Sequence, residues 1–257
     1  MLHRPLGRCG LQVPVLGLAA GPDFGQALGR SGARRRVGQA FDAGIRLFDS
    51  AGSAAGGEAE RLLGDVLADL RLPRESILLC SRAGIGAASA TPLQRGLSRK
   101  PLRDACDAAL RRLRVDYLDL FLCEQADPDT PIEETAAAMD QLVGAGKVLH
   151  WGVGAWPAAA LAELARVAAV PGRAAASFVQ AERLPEAGSA SSGLGWICPW
   201  PLAGVSTDPA RMTPDLAERL IEPQLGCLLL DADTADAPSI ALAALEAAFG
   251  KALQEGA

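Results

Sequence analysis

The sequence predicts an α/β chain closed as a (β/α)8 barrel, on three observations. Short apolar runs recur at roughly 30-residue intervals from residue 45 onward, amphipathic segments of helical period lie between them, and the 257 residues suit one barrel of this kind.

Taken in order, "RPLGRCGLQVPVL" reads as a small hairpin plugging one end of the barrel, and "VLGLA" (15–19) as the first barrel strand. The others are "IRLFD" (45–49), "SILLCS" (76–81), "YLDLFLC" (117–123), "VLHWGV" (148–153), "SFVQ" (177–180), "GWICP" (195–199) and "GCLLL" (226–230). Between them, Ala59, Leu62, Leu63, Val66 and Leu67 form one apolar stripe, and Leu102, Cys106, Ala109, Leu110 and Leu113 another, each able to cover a strand. The helix after the fourth strand is expected to open with Thr130 as N-cap and Pro131 in the first helical position. Glu133 and Glu134 then sit at the positive end of its dipole, and Gly144 or Gly146 stops it. "AERLPEAGSASSGL" is too short and too weakly patterned for a full helix. The barrel is therefore expected to be abbreviated in its C-terminal third, with the helix between strands six and seven reduced or missing, and the tail after "TDPA" compressed. No linker breaks the chain, so residues 1–257 read as a single domain.

Hydrophobic residues make up 49% of the chain, supplied by Ala and Leu more than by aromatics, which favours helices and a sizeable core. "LAELARVAAVPGRAAASF" is interrupted by Glu163, Arg166, Pro171 and Arg173 and does not span a membrane. The N-terminus lacks the basic-then-apolar pattern of a secretory signal, which leaves the cytoplasm as the expected compartment. A net charge of −5 gives nucleic acid no electrostatic reason to bind, and Arg34, Arg35 and Arg36 read as a solvated helix face. Six scattered cysteines without a CxxC read as small buried hydrophobes.

Several stretches occur together and in order: "RPLGRCGLQVPVLGLA", "AGIRLFDSA", "GEAERLLG", "GLSRKPLRDACDAALRRLRVDYLDLF", "DPDTPIEETAAAMDQLVGAGKV" and "GVGAW". In these the chain resembles the aldo/keto reductases, close to their bacterial and potassium-channel β-subunit branches. The likeness covers residues 4 to 156 strongly and continues faintly through "FVQAE" and "PLAG". It implies an NADP(H)-dependent carbonyl reductase with an Asp, Tyr, Lys and His tetrad at the C-terminal mouth of the barrel. Carried over residue by residue, the Asp falls on Asp49, the Tyr on Ala54, the Lys on Arg82 and the His on Glu124.

Carbonyl reduction needs a proton for the developing alkoxide, and alanine has none to give. Tyr117, the one tyrosine, begins the fourth strand and should lie at the opposite end of the barrel. His3 and His150 read as structural, and Lys100, Lys147 and Lys251 all fall away from the mouth. The resemblance places the cofactor groove on Ala19, Ala20 and Gly21, on Gly154 and Ala155, on Gln180 and on Arg183, and of these only Gln180 keeps the family's side chain. Where the family has a phosphate-binding loop, "DADTAD" offers Asp231, Asp233 and Asp236, which either repel a phosphate or cap the next helix. No cofactor is therefore expected, and NADP(H) rests on the resemblance alone. "GIGAAS" is a lone glycine pattern and reads as a loop.

The resemblance implies, and strand parity agrees, that Asp49, Arg82 and Glu124 point inward at the mouth, on three adjacent strands. Two carboxylates beside one guanidinium suit general acid/base work without a nicotinamide, on a small molecule held at the mouth. The competing reading is a single salt bridge tying off an unused cavity, and Asp49 alone could cap its turn. Arg82 between the acids disfavours a metal, and Cys123 should face outward. The functions left open are a non-redox catalyst or binding protein, a divergent NAD(P)H-dependent oxidoreductase, and a regulatory scaffold.

Overall fold

The computed structural model describes residues 1–84, 91–170, 172–183, 193–200, 209–233 and 237–255. Eight parallel strands close a barrel in the order β10-β3-β4-β5-β6-β7-β8-β9. They are β3 (Leu16–Ala20), β4 (Leu47–Ser50), β5 (Leu78–Ala83), β6 (Leu118–Cys123), β7 (Val148–Val153), β8 (Phe178–Gln180), β9 (Gly195–Trp200) and β10 (Leu225–Asp231). All eight apolar runs of the sequence are strands, shifted by one or two residues at most ends. Strands covered on both faces need apolar residues at every position, and the Leu-rich runs of β6 and β10 meet that need.

Alternation divides the core into two parts. Leu47, Cys80, Leu120, Leu122, Phe178, Ile197, Cys227 and Leu229 fill the barrel interior. Phe48, Leu79, Phe121 and Cys123 pack instead with the helices. The expected hairpin is present as β1 (His3–Pro5) and β2 (Gln12–Pro14), paired antiparallel. Its Leu6 and Val13 enter the interior cluster and close the end from which the strands start. Gly7, at φ +60°, brings the hairpin against the backbone of Gly195, where a Cβ would collide.

The helices are α1 (Gly29–Asp42), α2 (Glu58–Leu70), α3 (Arg99–Leu113), α4 (Ile132–Gly144), α5 (Ala158–Ala168), α6 (Pro209–Leu220) and α7 (Ala237–Glu255). The predicted stripes of α2 and α3 face inward, with Leu62 and Leu110 only partly buried. The start of α4 differs from the expectation. Pro131 takes the N-cap position, and the Thr130 hydroxyl donates to Asp127 Oδ2 at 2.6 Å rather than to the helix. Asp127 outcompetes the helix because it gathers three donors, Thr130 Oγ1 and the amides of Leu97 and Asp129. Nor is the tail compressed, since α6 and α7 are full helices that supply the last two βα units. The expected shortening between the sixth and seventh barrel strands falls on residues 184–192, outside the described residues.

Arg34 and Arg35 are exposed on α1, as a solvated face requires. The six cysteines are free, five of them buried. Among the described residues no helix is long and apolar enough to cross a membrane.

Candidate functional site

At the C-terminal ends of the strands lies a cavity of about 400 Å³. Ala19, Ala20, Ala51 and Ala54 line it with methyl groups, and Asp49, Arg82, Glu124 and Gln180 with polar ones. The inward parity of the strands does this: Asp49 follows Leu47 by two on β4, Arg82 follows Cys80 by two on β5, and Glu124 follows Leu122 by two just past β6. The three residues assigned from the sequence are thus brought together, and Gln180 joins them from β8.

Arg82 is the hub. Its Nη2 donates to Asp49 Oδ2, its Nη1 to Glu124 Oε1 at 3.3 Å, and its Nε to the Ser50 carbonyl at 3.0 Å. Gln180 Nε2 adds a donor to Asp49 Oδ2 at 3.3 Å. Burial works against the charge on Arg82, but Asp49 and Glu124 more than offset it and hold its pKa above the ordinary guanidinium value. The two acids are unequal: Asp49 is 3% exposed, whereas Glu124 is 44% exposed with one long contact. Beneath them Cys80 is an inert thiol, because burial first, and then the charge of Asp49, push its pKa well up.

Three glycines make room for these larger side chains. A Cβ on Gly52 would lie 2.8 Å from Arg82 Cγ, and one on Gly84 would lie 2.9 Å from Glu124 Oε2. At Gly154 a Cβ would strike the carbonyl oxygen of Glu124 and stand 2.9 Å from its carbon. The loop after β7 therefore packs directly on the Glu124 backbone, fastened by Gly154 N donating to Cys123 O and by Trp156 Nε1 donating to the same oxygen.

Tyr117 precedes β6 at the far end of the barrel, under the Arg74 guanidinium, 3.9 Å from its ring centroid. His3 lies in the hairpin, and His150, within β7, faces Ser177 Oγ at 3.5 Å. Burial keeps the pKa of His150 below its ordinary value. Lys100 pairs with Asp104 on α3, and Lys147 with Asp107. Ala54 lines the cavity itself. Asp233 Oδ1 accepts the Gly25 amide at 3.4 Å, and Asp231 Oδ1 accepts the Asp233 amide at 2.9 Å. Asp233 thus fastens the loop after β3, and Asp231 holds the turn that follows β10. Asp236, the side chain of Lys251 and most of "GIGAAS" lie outside the described residues.

Sequence reading missed Ser53 and Gln125 on the cavity wall, and Glu60 behind it. Glu60 is fully buried on α2, where Oε1 accepts from Ser50 and Ser81 and Oε2 from Arg112 Nε, each at 2.6 Å. A signal existed: Ser50 and Ser81 neighbour inward Asp49 and Arg82, so they face the helices, where two hydroxyls require a buried acceptor. Among the described residues no group of His, Cys, Asp and Glu could hold a metal ion.

An eight-stranded parallel barrel, plugged by a hairpin and carrying its polar groups at the opposite mouth, is the architecture of a (β/α)8 enzyme class. The family model for the aldo/keto reductases matches residues 15–206, most of the chain, and the protein belongs to that family.

Proposed function

We propose that this aldo/keto reductase barrel has left ordinary NADPH-dependent carbonyl reduction and uses its mouth as a small-molecule site. There Asp49, Arg82 and Glu124 bind the molecule or move protons on it. The observation that carries the reading is the open cavity of about 400 Å³ over the Asp49–Arg82–Glu124 chain, with only a methyl group at position 54.

Reduction needs a proton donor beside the carbonyl and a groove for the dinucleotide. Tyr117, His3 and His150 lie elsewhere, so none can replace the missing donor. Among the described residues, those at the positions of the family's cofactor groove do not fit NADP(H), which members of the family typically bind. Backbone of Glu124 occupies the space a side chain at 154 would need, and Asp231 and Asp233 give a pyrophosphate like charge in place of donors. In the site that remains, Arg82 fixes Asp49 in the floor. Glu124, exposed and held by one long contact, is the group free to exchange a proton with a bound molecule. The retained Gln180, which lines the cavity, favours the second reading, a divergent NAD(P)H-dependent oxidoreductase.

The test is to titrate NADPH and NADH while following tryptophan fluorescence and Tm. Trp156, bonded next to Glu124, is a local reporter. A bound nucleotide at about 100 times its Kd would stabilise the fold by roughly 2.7 kcal/mol. No shift with either nucleotide is expected. A Tm rise together with aldehyde-dependent loss of nicotinamide absorbance would overturn the proposal. To separate catalyst from scaffold, Glu124→Gln and Asp49→Asn are melted beside the wild type. Melting several degrees higher marks strain kept for function, and unchanged or lower melting marks a structural ion pair.

A further inference from the structure

The mouth carries acceptors that none of the described residues satisfies. Asp49 Oδ1 and Gln180 Oε1 are both buried, and neither has a hydrogen-bond partner among the described residues. Both belong to residues lining the cavity. The Gln180 amide cannot turn over to relieve its own oxygen, because its nitrogen faces Asp49 Oδ2 at 3.3 Å and the reverse orientation would set carbonyl against carboxylate. The donors of Arg82 are directed at Ser50, Asp49 and Glu124. A buried carboxylate oxygen without a donor is costly, so the site calls for N–H or O–H groups beyond those the described residues supply.

Charge chooses between those two donors. Asp49 and Glu124 against Arg82 leave the cavity with a net negative charge. The loop that brings Gly21 and Pro22 to the cavity continues into Asp23 and is fastened by Asp233. Burial, then the like charges of Asp231 and Asp23, raise the pKa of Asp233 against the opposing pull of Gly25 N–H and Arg36. Among the described residues carboxylates thus outnumber cations on this side of the mouth, a field that draws cations and turns away phosphates and carboxylates.

We propose that the mouth cavity binds a small organic ammonium ion, whose N–H groups supply the donors that Asp49 Oδ1 and Gln180 Oε1 lack. This rests on reading the mouth as a small-molecule site. Charge-assisted bonds from an ammonium to an ionised carboxylate are roughly twice as strong as neutral ones, which separates an amine from an alcohol of equal length.

The experiment titrates the full chain by calorimetry with three four-carbon probes: 1,4-diaminobutane, butane-1,4-diol and succinate. The diamine is expected to bind roughly tenfold or more tightly than the diol, and succinate not at all. Asp49→Asn and Gln180→Met should each weaken diamine binding, the first by roughly tenfold or more, while Asp104→Asn on the outer face of α3 leaves it unchanged. If Asp49→Asn fails to fold, Gln180→Met carries the comparison alone. Equal affinity for diol and diamine, measurable succinate binding, absence of diamine binding, or diamine binding indifferent to the Gln180 change would each overturn the ammonium assignment. Run beside the nucleotide titration, the two failures separate. Loss of the ammonium assignment with no nucleotide bound leaves the small-molecule reading in place, whereas nucleotide binding with aldehyde reduction removes that reading itself.

Discussion

Replacing Glu60 by Gln removes one charge from a fully buried cluster while keeping the shape of the side chain. In the native protein Oε1 accepts from Ser50 and Ser81 and Oε2 from Arg112 Nε, all at 2.6 Å, and the Arg112 side chain is only 14% exposed. Gln can keep its carbonyl toward the two serines, but its amide then meets Arg112 Nε as donor against donor. Removing one partner of a buried ion pair costs about 3–5 kcal/mol, because the surviving charge stays desolvated. For a chain of this size about 2–4 °C is lost per kcal/mol, so Tm should fall by roughly 6–20 °C. Thermal and urea unfolding followed by circular dichroism give the number. A double change, Glu60→Leu with Arg112→Leu, should recover much of the loss, since an apolar pair of similar volume avoids the desolvation cost. If Glu60→Gln stays within about 1 kcal/mol of the wild type, the cluster does not hold α2 against β4 and β5 as argued. The consequence reaches the site: Ser50 and Ser81 adjoin Asp49 and Arg82, and α2 follows directly on the turn Ala54–Gly57.

Two further outcomes are expected. Gly154→Ala should destabilise by about 1–3 kcal/mol or more, because the new Cβ meets Glu124 backbone that no rotamer change can move; an unchanged Tm would show that the loop after β7 yields freely. Asp233→Asn should stabilise the fold at neutral pH while keeping its bond from Gly25. With the folded pKa raised, the native state binds more protons than the unfolded one in the titration window, so the charge penalty is absent below the ordinary pKa of 3.8 and develops as pH rises through the folded value. Melts of both proteins should coincide near pH 3 and separate by pH 7, and separation at pH 3 would refute the assignment.

Periodicity alone placed all eight strands and the plugging hairpin. A strand covered on both faces must be apolar throughout, and a helix covering it must be apolar every three or four residues, so burial writes itself into the pattern. The resemblance put Asp49, Arg82 and Glu124 at the mouth, at the ends of their strands, and parity turned them inward, since inward positions repeat every second residue. The identity of residue 54 was equally legible, because the absence of a phenol is a property of the chain and not of its folding. The start of α4 was not legible: Thr130 had two partners available, and only the assembled Asp127 turn decided between them. The tail reads as compressed, yet it forms the full helices α6 and α7, packed on β10 and on each other. Tertiary structure alone also decided that Arg82 would serve both acids, that Gly52, Gly84 and Gly154 would clear space for it and for Glu124, and that Asp49 and Gln180 would each keep an oxygen without a donor among the described residues. Those facts depend on distances between strands far apart in sequence, which no local pattern encodes.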